Sequence, residues 1–208
     1  DRNEEILHQI LESYAKGENS GDAYAKPLGD FYSSCMDEAA IEKAGVTPLE
    51  PWFKAINDVK DATSLTKLLA RFQSEVGTGI VFDIQAAQDF SDATQVLGMF
   101  WQAGLGMPDR DYYVDAKPKF AELRTKYEAH IAAMLQLAGD KEDVAKAGAK
   151  KVMAIETQLA KASMTKEDRR EPKKIAHRAT KAELAKSGTL NLDVGLDGIL
   201  GAWIRRSE

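Results

Sequence analysis

The spacing of apolar residues constrains this chain more than any other feature. Along most of its 208 residues apolar positions recur every three or four residues, the period of one face of an α-helix. After Gly79 the period drops to two. Ile80, Phe82 and Ile84 alternate with Val81, Asp83 and Gln85; beyond the turn residues Ser91 and Asp92, Thr94, Val96, Gly98, Phe100 and Gln102 alternate with Gln95, Leu97, Met99, Trp101 and Ala103. This pattern predicts a β-hairpin, residues 80–90 paired with 94–102. Both faces of the second strand carry apolar groups, so it is expected to be covered on both sides. The expected fold class is mainly α: a multi-helix lobe with one β-hairpin inserted between helices.

Helix ends are legible in the sequence. Ile6, Leu7, Ile10, Leu11 and Tyr14 define a first helix that Gly17 closes. Tyr24, Leu28, Phe31, Tyr32, Cys35, Met36 and Ile41 predict one second helix that runs to Gly45 and buries Cys35 as an inert thiol. Its acidic residues Asp37, Glu38 and Glu42 read as a solvated face. Thr47 and Pro48 predict the N-cap and first position of a third helix, with Trp52, Phe53, Ile56 and Val59 on its core face. Asp61 to Ser64 predicts a break and a new cap, followed by a helix through Leu65, Leu68, Leu69, Phe72 and Val76 that ends at Gly77. Pro118 is expected to start the longest helix, ending at Gly139, and Asp140 to cap the next, whose buried side carries Val144, Val152, Ile155 and Leu159. Thr165 to Asp168 resembles a capping box, Pro172 should limit any helix there, and Thr180 to Glu183 is a better box that begins a short helix through Lys186. From Ser187 onward glycines interrupt the apolar residues without a clear period. The predicted organisation is therefore a lobe of residues 1–186 and an atypical tail of residues 187–208.

The densest stretch is Gly104-Leu105-Gly106-Met107-Pro108-Asp109-Arg110-Asp111-Tyr112-Tyr113, where the hairpin hands over to the long helix. Glycines permit a turn, Pro108 fixes φ and is expected to start a helical turn, and the tyrosines can anchor the corner to the core. Arg110 is expected to pair with a carboxylate, either Asp111 or one on a neighbouring helix. The chemistry reads as structural: Gly104, Gly106, Pro108, Asp109, Arg110, Asp111, Tyr112 and Tyr113 shape a corner.

Few function classes fit. A net charge of −5 argues against a dedicated nucleic-acid or membrane-surface binder. No run of about 18 apolar residues is available to span a bilayer, and the charged first residues are not a signal peptide. One cysteine excludes an internal disulfide and a cysteine-rich zinc site. His8, His130 and His177 lack the H-E-x-x-H spacing, and the chain has no nucleophile elbow, P-loop or dinucleotide fingerprint. Gly77-Thr78-Gly79 precedes a strand, the wrong context for holding phosphate. Acidic residues interrupt the basic run Lys166, Arg169, Arg170, Lys173, Lys174, Arg178 and Lys181, and no aromatic residue falls within it, so it reads as a surface loop.

Three blocks, in order and at comparable spacing, resemble the neprilysin family of zinc metalloendopeptidases, including its bacterial members. The first is Phe31-Tyr32-Ser33-Ser34-Cys35-Met36-Asp37, continued by Ile41-Glu42 and Gly45-Val46-Thr47-Pro48-Leu49. The second is the Gly104 to Tyr113 decapeptide, with Met107 where leucine is more usual. The third is Ile155-Glu156-Thr157-Gln158-Leu159-Ala160 followed by Asp168-Arg169-Arg170-Glu171-Pro172. The resemblance runs from about Glu4 to Leu184 and departs at Ala176, where an aromatic is common, and after Ser187. It implies the large helical non-catalytic lobe, which faces a thermolysin-like zinc lobe across a closed cavity and limits entry to oligopeptides. On that reading this chain carries no catalytic residue, no metal ligand and no cofactor. Zinc belongs to the catalytic lobe, the partner is an oligopeptide substrate shared with that lobe, and the location is extracytoplasmic, periplasmic or secreted. The alternative is a stand-alone peptide-binding or protein-interaction module without hydrolytic activity.

Overall fold

Segments with helical spacing form helices, and glycine stops four of them: the backbone is left-handed at Gly17 (φ +77°), Gly45 (+52°), Gly77 (+76°) and Gly139 (+109°), where a Cβ would be strained. The structure is a computed structural model that describes residues 2–18, 21–77, 79–180, 183 and 186. It contains nine α-helices and one two-stranded antiparallel sheet among those residues, and divides into two units, Asp1–Pro51 and Trp52–Glu208.

In the first unit α1 (Arg2–Ala15) packs on α2 (Ala25–Met36). The approach is close because Gly29 lacks a side chain: a Cβ there would lie 2.5 Å from the Tyr14 carbonyl oxygen. Tyr14 Oη donates to Asp22 Oδ2 (2.5 Å), tying α1 to the loop before α2. The single helix expected from Tyr24 to Gly45 is broken at Asp37. Its carboxylate accepts the Ala40 N–H (2.9 Å) and starts α3 (Glu38–Ala44), because a short acidic side chain caps a helix better than it continues one. The expected burial also fails. α2 buries only Ala25 and Gly29, while Tyr24, Phe31, Met36 and Cys35 are exposed. Thr47 is not an N-cap; it lies inside a 3₁₀ turn, Thr47–Leu49, that leads into α4 (Glu50–Asn57).

The second unit starts within α4, at Trp52, and a reciprocal cap follows. Ser64 N–H donates to Asp61 Oδ1 (2.7 Å) and Asp61 N–H donates to Ser64 Oγ (3.0 Å), opening α5 (Ala62–Glu75). Trp52 stacks on Phe72 with ring centroids 4.3 Å apart. Strands β1 (Phe82–Gln88) and β2 (Val96–Gln102) pair from Phe82↔Gln102 to Gln88↔Val96. Cover on both faces of β2 is not found: Met99 and Trp101 are half-buried, whereas Val96, Leu97 and Phe100 are exposed. A two-stranded sheet that meets the helices on one side leaves the other side open. The helices α6 (Asp111–Val114), α7 (Pro118–Leu137) and α8 (Glu142–Ala162) follow. At 21 residues α8, not the 20-residue α7, is the longest. Asp140 does not cap it; Lys141 holds that position without a side-chain bond. Ala145, Ala149, Met153 and Ala160 form its buried stripe, and the absent side chain at Gly148, where a Cβ would meet Leu135 Cδ1 at 2.9 Å, lets α7 come close. The helical turn after Thr165 stops at Arg170, short of Pro172 as expected, and Pro172 then opens α9 (Pro172–Ile175), since proline fits the first helical position. Thr180 and Glu183 make the expected box: the Thr180 N–H meets Glu183 Oε2 at 2.7 Å and the Glu183 N–H meets Thr180 Oγ1 at 3.3 Å. The predicted tail, residues 187–208, lies outside the described residues.

Candidate functional site

The corner from Gly104 to Tyr113 is built around one carboxylate that lies far away in sequence. β2 delivers the chain to Gly104 (φ +87°), where a Cβ would lie 2.3 Å from the Ile80 carbonyl oxygen. At Gly106 a Cβ would meet Tyr127 Oη at 1.8 Å, so only glycine fits. The Gly106 N–H donates to Glu156 Oε2 (3.3 Å). Tyr113 Oη accepts the Met107 N–H (2.8 Å) and donates to Glu156 Oε2 (2.5 Å). Tyr127 Oη donates to Glu156 Oε1 (3.1 Å). Glu156 thus joins the corner, α7 and its own helix α8. Burial, then the bond to Glu156, raises the Tyr113 hydroxyl far above the usual phenol range. Burial, then the Glu156 charge, raises Tyr127 to about 12. The surrounding core is Met107, Tyr113, Met153 and Ala160, against which Leu105, Tyr112, Val114, Tyr127 and Ile131 pack.

The charged half of the corner contains the expected Arg110–Asp111 pair and, beside it, a closer clamp. Arg110 Nη1 reaches Asp111 Oδ1, but at 3.8 Å, and its buried Nε has no hydrogen-bond partner. The close clamp is Lys166, whose Nζ lies 3.0 Å from Asp109 Oδ2 and 3.0 Å from Asp111 Oδ2. Hydrogen bonds to Asp109 and then Asp111 raise the Lys166 pKa. Pro108 does not start a helical turn: α6 begins three residues later, after Asp109 Oδ1 has accepted the Asp111 N–H (2.8 Å). Tyr112 packs edge-on against Phe120 (5.2 Å), and its carbonyl accepts from Arg124 Nη1 (2.9 Å).

The segment after α8 fastens the hairpin to this corner. The Met164 N–H donates to Gln102 Oε1 (3.0 Å), Lys166 clamps the two aspartates, and Arg178 pairs with Asp89 and donates to Ser91 Oγ (2.6 Å). Lys174 bridges Asp168 (2.6 Å) and Glu171 (3.1 Å). Much of the basic run therefore neutralises neighbouring acids.

Chemically the corner positions groups and does not activate them. Each Glu156 oxygen already accepts a phenol, so it is not poised as a base. Among the described residues no group of three or more His, Cys, Asp or Glu can hold a metal ion, and no helix is long and apolar enough to cross a membrane. His8 lies on the other unit, with Tyr32 Oη at 3.2 Å and Glu12 at 3.4 Å. The roles of Glu156, Tyr127 and Lys166 are not read from their local sequence. For Glu156 a signal exists: it shares a helical stripe with Met153 and Ala160, both buried.

Comparisons with known proteins agree with this architecture. The N-terminal model of peptidase family M13 matches residues 1–203. Bovine endothelin-converting enzyme 1 is 25% identical over 190 residues, covering 88% of this chain and 25% of that protein. Mouse neprilysin is 27% identical over 213 residues, covering 93% of this chain and 28% of that protein. The structure of the zinc metalloprotease Zmp1 of Mycobacterium tuberculosis, in complex with an inhibitor, superposes with a TM-score of 0.84 at 29% identity over 96% of this chain and 30% of that one. The chain thus spans about a quarter of the length of the curated relatives it matches.

Proposed function

The chain belongs to peptidase family M13, and from that premise we propose that it is the non-catalytic helical lobe of a zinc metalloendopeptidase acting on oligopeptides, forming the cavity wall that limits substrate size. The match of the family's N-terminal model to residues 1–203 carries this reading. The interlocked corner supports it, because a wall that selects by size must resist deformation. Glu156, the buried Tyr113 and half-buried Tyr127 phenols and the Lys166 clamp give that rigidity at the point where the hairpin meets α7 and α8. The residues Gly104, Gly106, Pro108, Asp109, Arg110, Asp111, Tyr112 and Tyr113 act as structure in this reading. Zinc, the attacking water and the general base come from the catalytic part of the protein, and residues 1–186 form the lobe.

The test is hydrolysis of a fluorogenic oligopeptide by the purified chain with and without added zinc. No zinc-dependent cleavage is expected. Chelator-sensitive cleavage by the chain alone overturns the proposal. On the same reading the protein works on the extracytoplasmic side, and fractionation that recovers it in the cytosol overturns that part.

A further inference from the structure

Two backbone bonds fix which groups of the hairpin face outward. The Ala103 N–H donates to the Val81 carbonyl (3.2 Å), and the Asp89 N–H donates to the Gln95 carbonyl (3.0 Å). With the observed register, the odd-numbered residues of β1 and β2 therefore share the ladder bonds. The even-numbered residues point their N–H and C=O groups away from the partner strand. On β1 one of these outward donors is occupied: the Ile84 N–H meets Asp83 Oδ1 (3.0 Å), and Gln73 of α5 donates to the same oxygen (2.7 Å). On β2 the outward groups belong to Val96, Gly98, Phe100 and Gln102, and none is paired with another described residue.

Among the described residues nothing defends this edge. Val96-Leu97-Gly98-Met99-Phe100-Trp101-Gln102 contains no charge and no proline, the usual devices that keep an exposed strand from pairing. Val96, Leu97 and Phe100 are exposed. At the centre, a Cβ on Gly98 would meet nothing within 4 Å. Donors and acceptors repeating every second residue, about 6.8 Å apart, complement an extended polypeptide main chain. A bare glycine at mid-edge and no charge on either side set no demand on the guest's side chains. Those are the properties of a site that must accept many sequences, whereas a single fixed partner strand would be matched by side-chain complementarity.

We propose that the outer edge of β2 binds extended peptides by main-chain pairing, adding the peptide as a third strand. This rests on the reading of the chain as the peptide-selecting wall and assigns that wall a contact that reads backbone, not sequence. The edge runs directly into the Gly104–Tyr113 corner, which Glu156, Tyr113 and Tyr127 interlock.

The experiment is amide hydrogen exchange on the purified 208-residue chain, with an acetylated and amidated Thr-Val heptapeptide as probe. A second probe is the same peptide N-methylated at every residue, so that neither of its edges can donate. The plain peptide is expected to slow exchange at Val96, Gly98, Phe100 and Gln102 by about tenfold, one net hydrogen bond each, with Leu97, Met99 and Trp101 unchanged. The N-methylated peptide should give no protection. Gly98→Pro removes an outward donor without touching the ladder, and should abolish protection at Val96 and Phe100 while the inward amides stay slow. Three results overturn the proposal: outward amides already protected without peptide, protection that rises with protein concentration alone, or equal protection by the two peptides. The zinc-dependence test above does not involve this edge, so the two readings fail separately.

Discussion

Glu156 shows how one residue can decide a local structure. It accepts the Tyr113 and Tyr127 hydroxyls and the Gly106 N–H, so Glu156→Ala strands the buried Tyr113 hydroxyl and takes the acceptor from two more donors. The expected loss is about 2–4 kcal/mol of unfolding free energy by urea titration, with Tyr113→Phe costing about 1–2 kcal/mol. Gly106→Ala drives a methyl into Tyr127 Oη and should cost about 1–3 kcal/mol. The pH dependence has a defined sign. Both phenols have folded pKa values above their unfolded ones, Tyr127 at about 12. Their contribution is complete below the ordinary phenol pKa and is lost as pH rises from there through the folded values. Urea midpoints should fall between pH 10 and 12, and the fall should be shallower in Tyr127→Phe. The tyrosines were legible as anchors in the sequence, but their acceptor was not, because it lies 43 residues beyond Tyr113. Local spacing carries no information about such a contact. Cys35 failed for a related reason. Its periodicity placed it on an apolar stripe, yet α2 buries its small residues Ala25 and Gly29. Labelling with a maleimide should therefore go to completion without denaturant.

At the scale of elements, some helix ends are legible in the sequence and others, such as those at Thr47, Asp140 and Pro108, are not. Asp61 with Ser64, Thr180 with Glu183 and the terminating glycines all work by local hydrogen bonds that the sequence displays. Asp61→Ala should cost about 1 kcal/mol. Asp37 breaks the expected helix although hydrophobic spacing continues across it, because its side chain caps α3. The two hairpin strands were legible from the period of two; their register, Phe82 opposite Gln102, was not. Nor was what fastens the hairpin, since Arg178 and Asp89 are 89 residues apart. Arg178→Ala should speed amide exchange at residues 89–95 and leave α7 and α8 unchanged. Hydrogen bonds from the Ser91 backbone, with help from Arg178, hold the Asp89 carboxyl below its usual range. This contribution is present above the ordinary carboxylate pKa and disappears as pH falls through the lowered value.

At the scale of the molecule, the sequence motifs specified a lineage more sharply than a chemistry. The decapeptide, the block around Glu156 and the block near Cys35 pointed to the family that the match over residues 1–203 shows. The expected burial of the apolar faces of α2 and β2 was wrong for a common physical reason: an apolar stripe states that cover is favourable, not that it lies within these residues.

The corner also sets an order of events. Gly106 and Tyr113 reach Glu156 across 50 and 43 residues, and Asp89 reaches Arg178 across 89. By contrast α7 and α8 are neighbours in sequence and pack directly. Closing long loops costs entropy before any contact repays it. As the chain leaves the ribosome, the helical pair α7–α8 can assemble first and offer a finished carboxylate; the glycine turn folds onto it afterwards, and the hairpin tip is secured only when Arg178 has emerged.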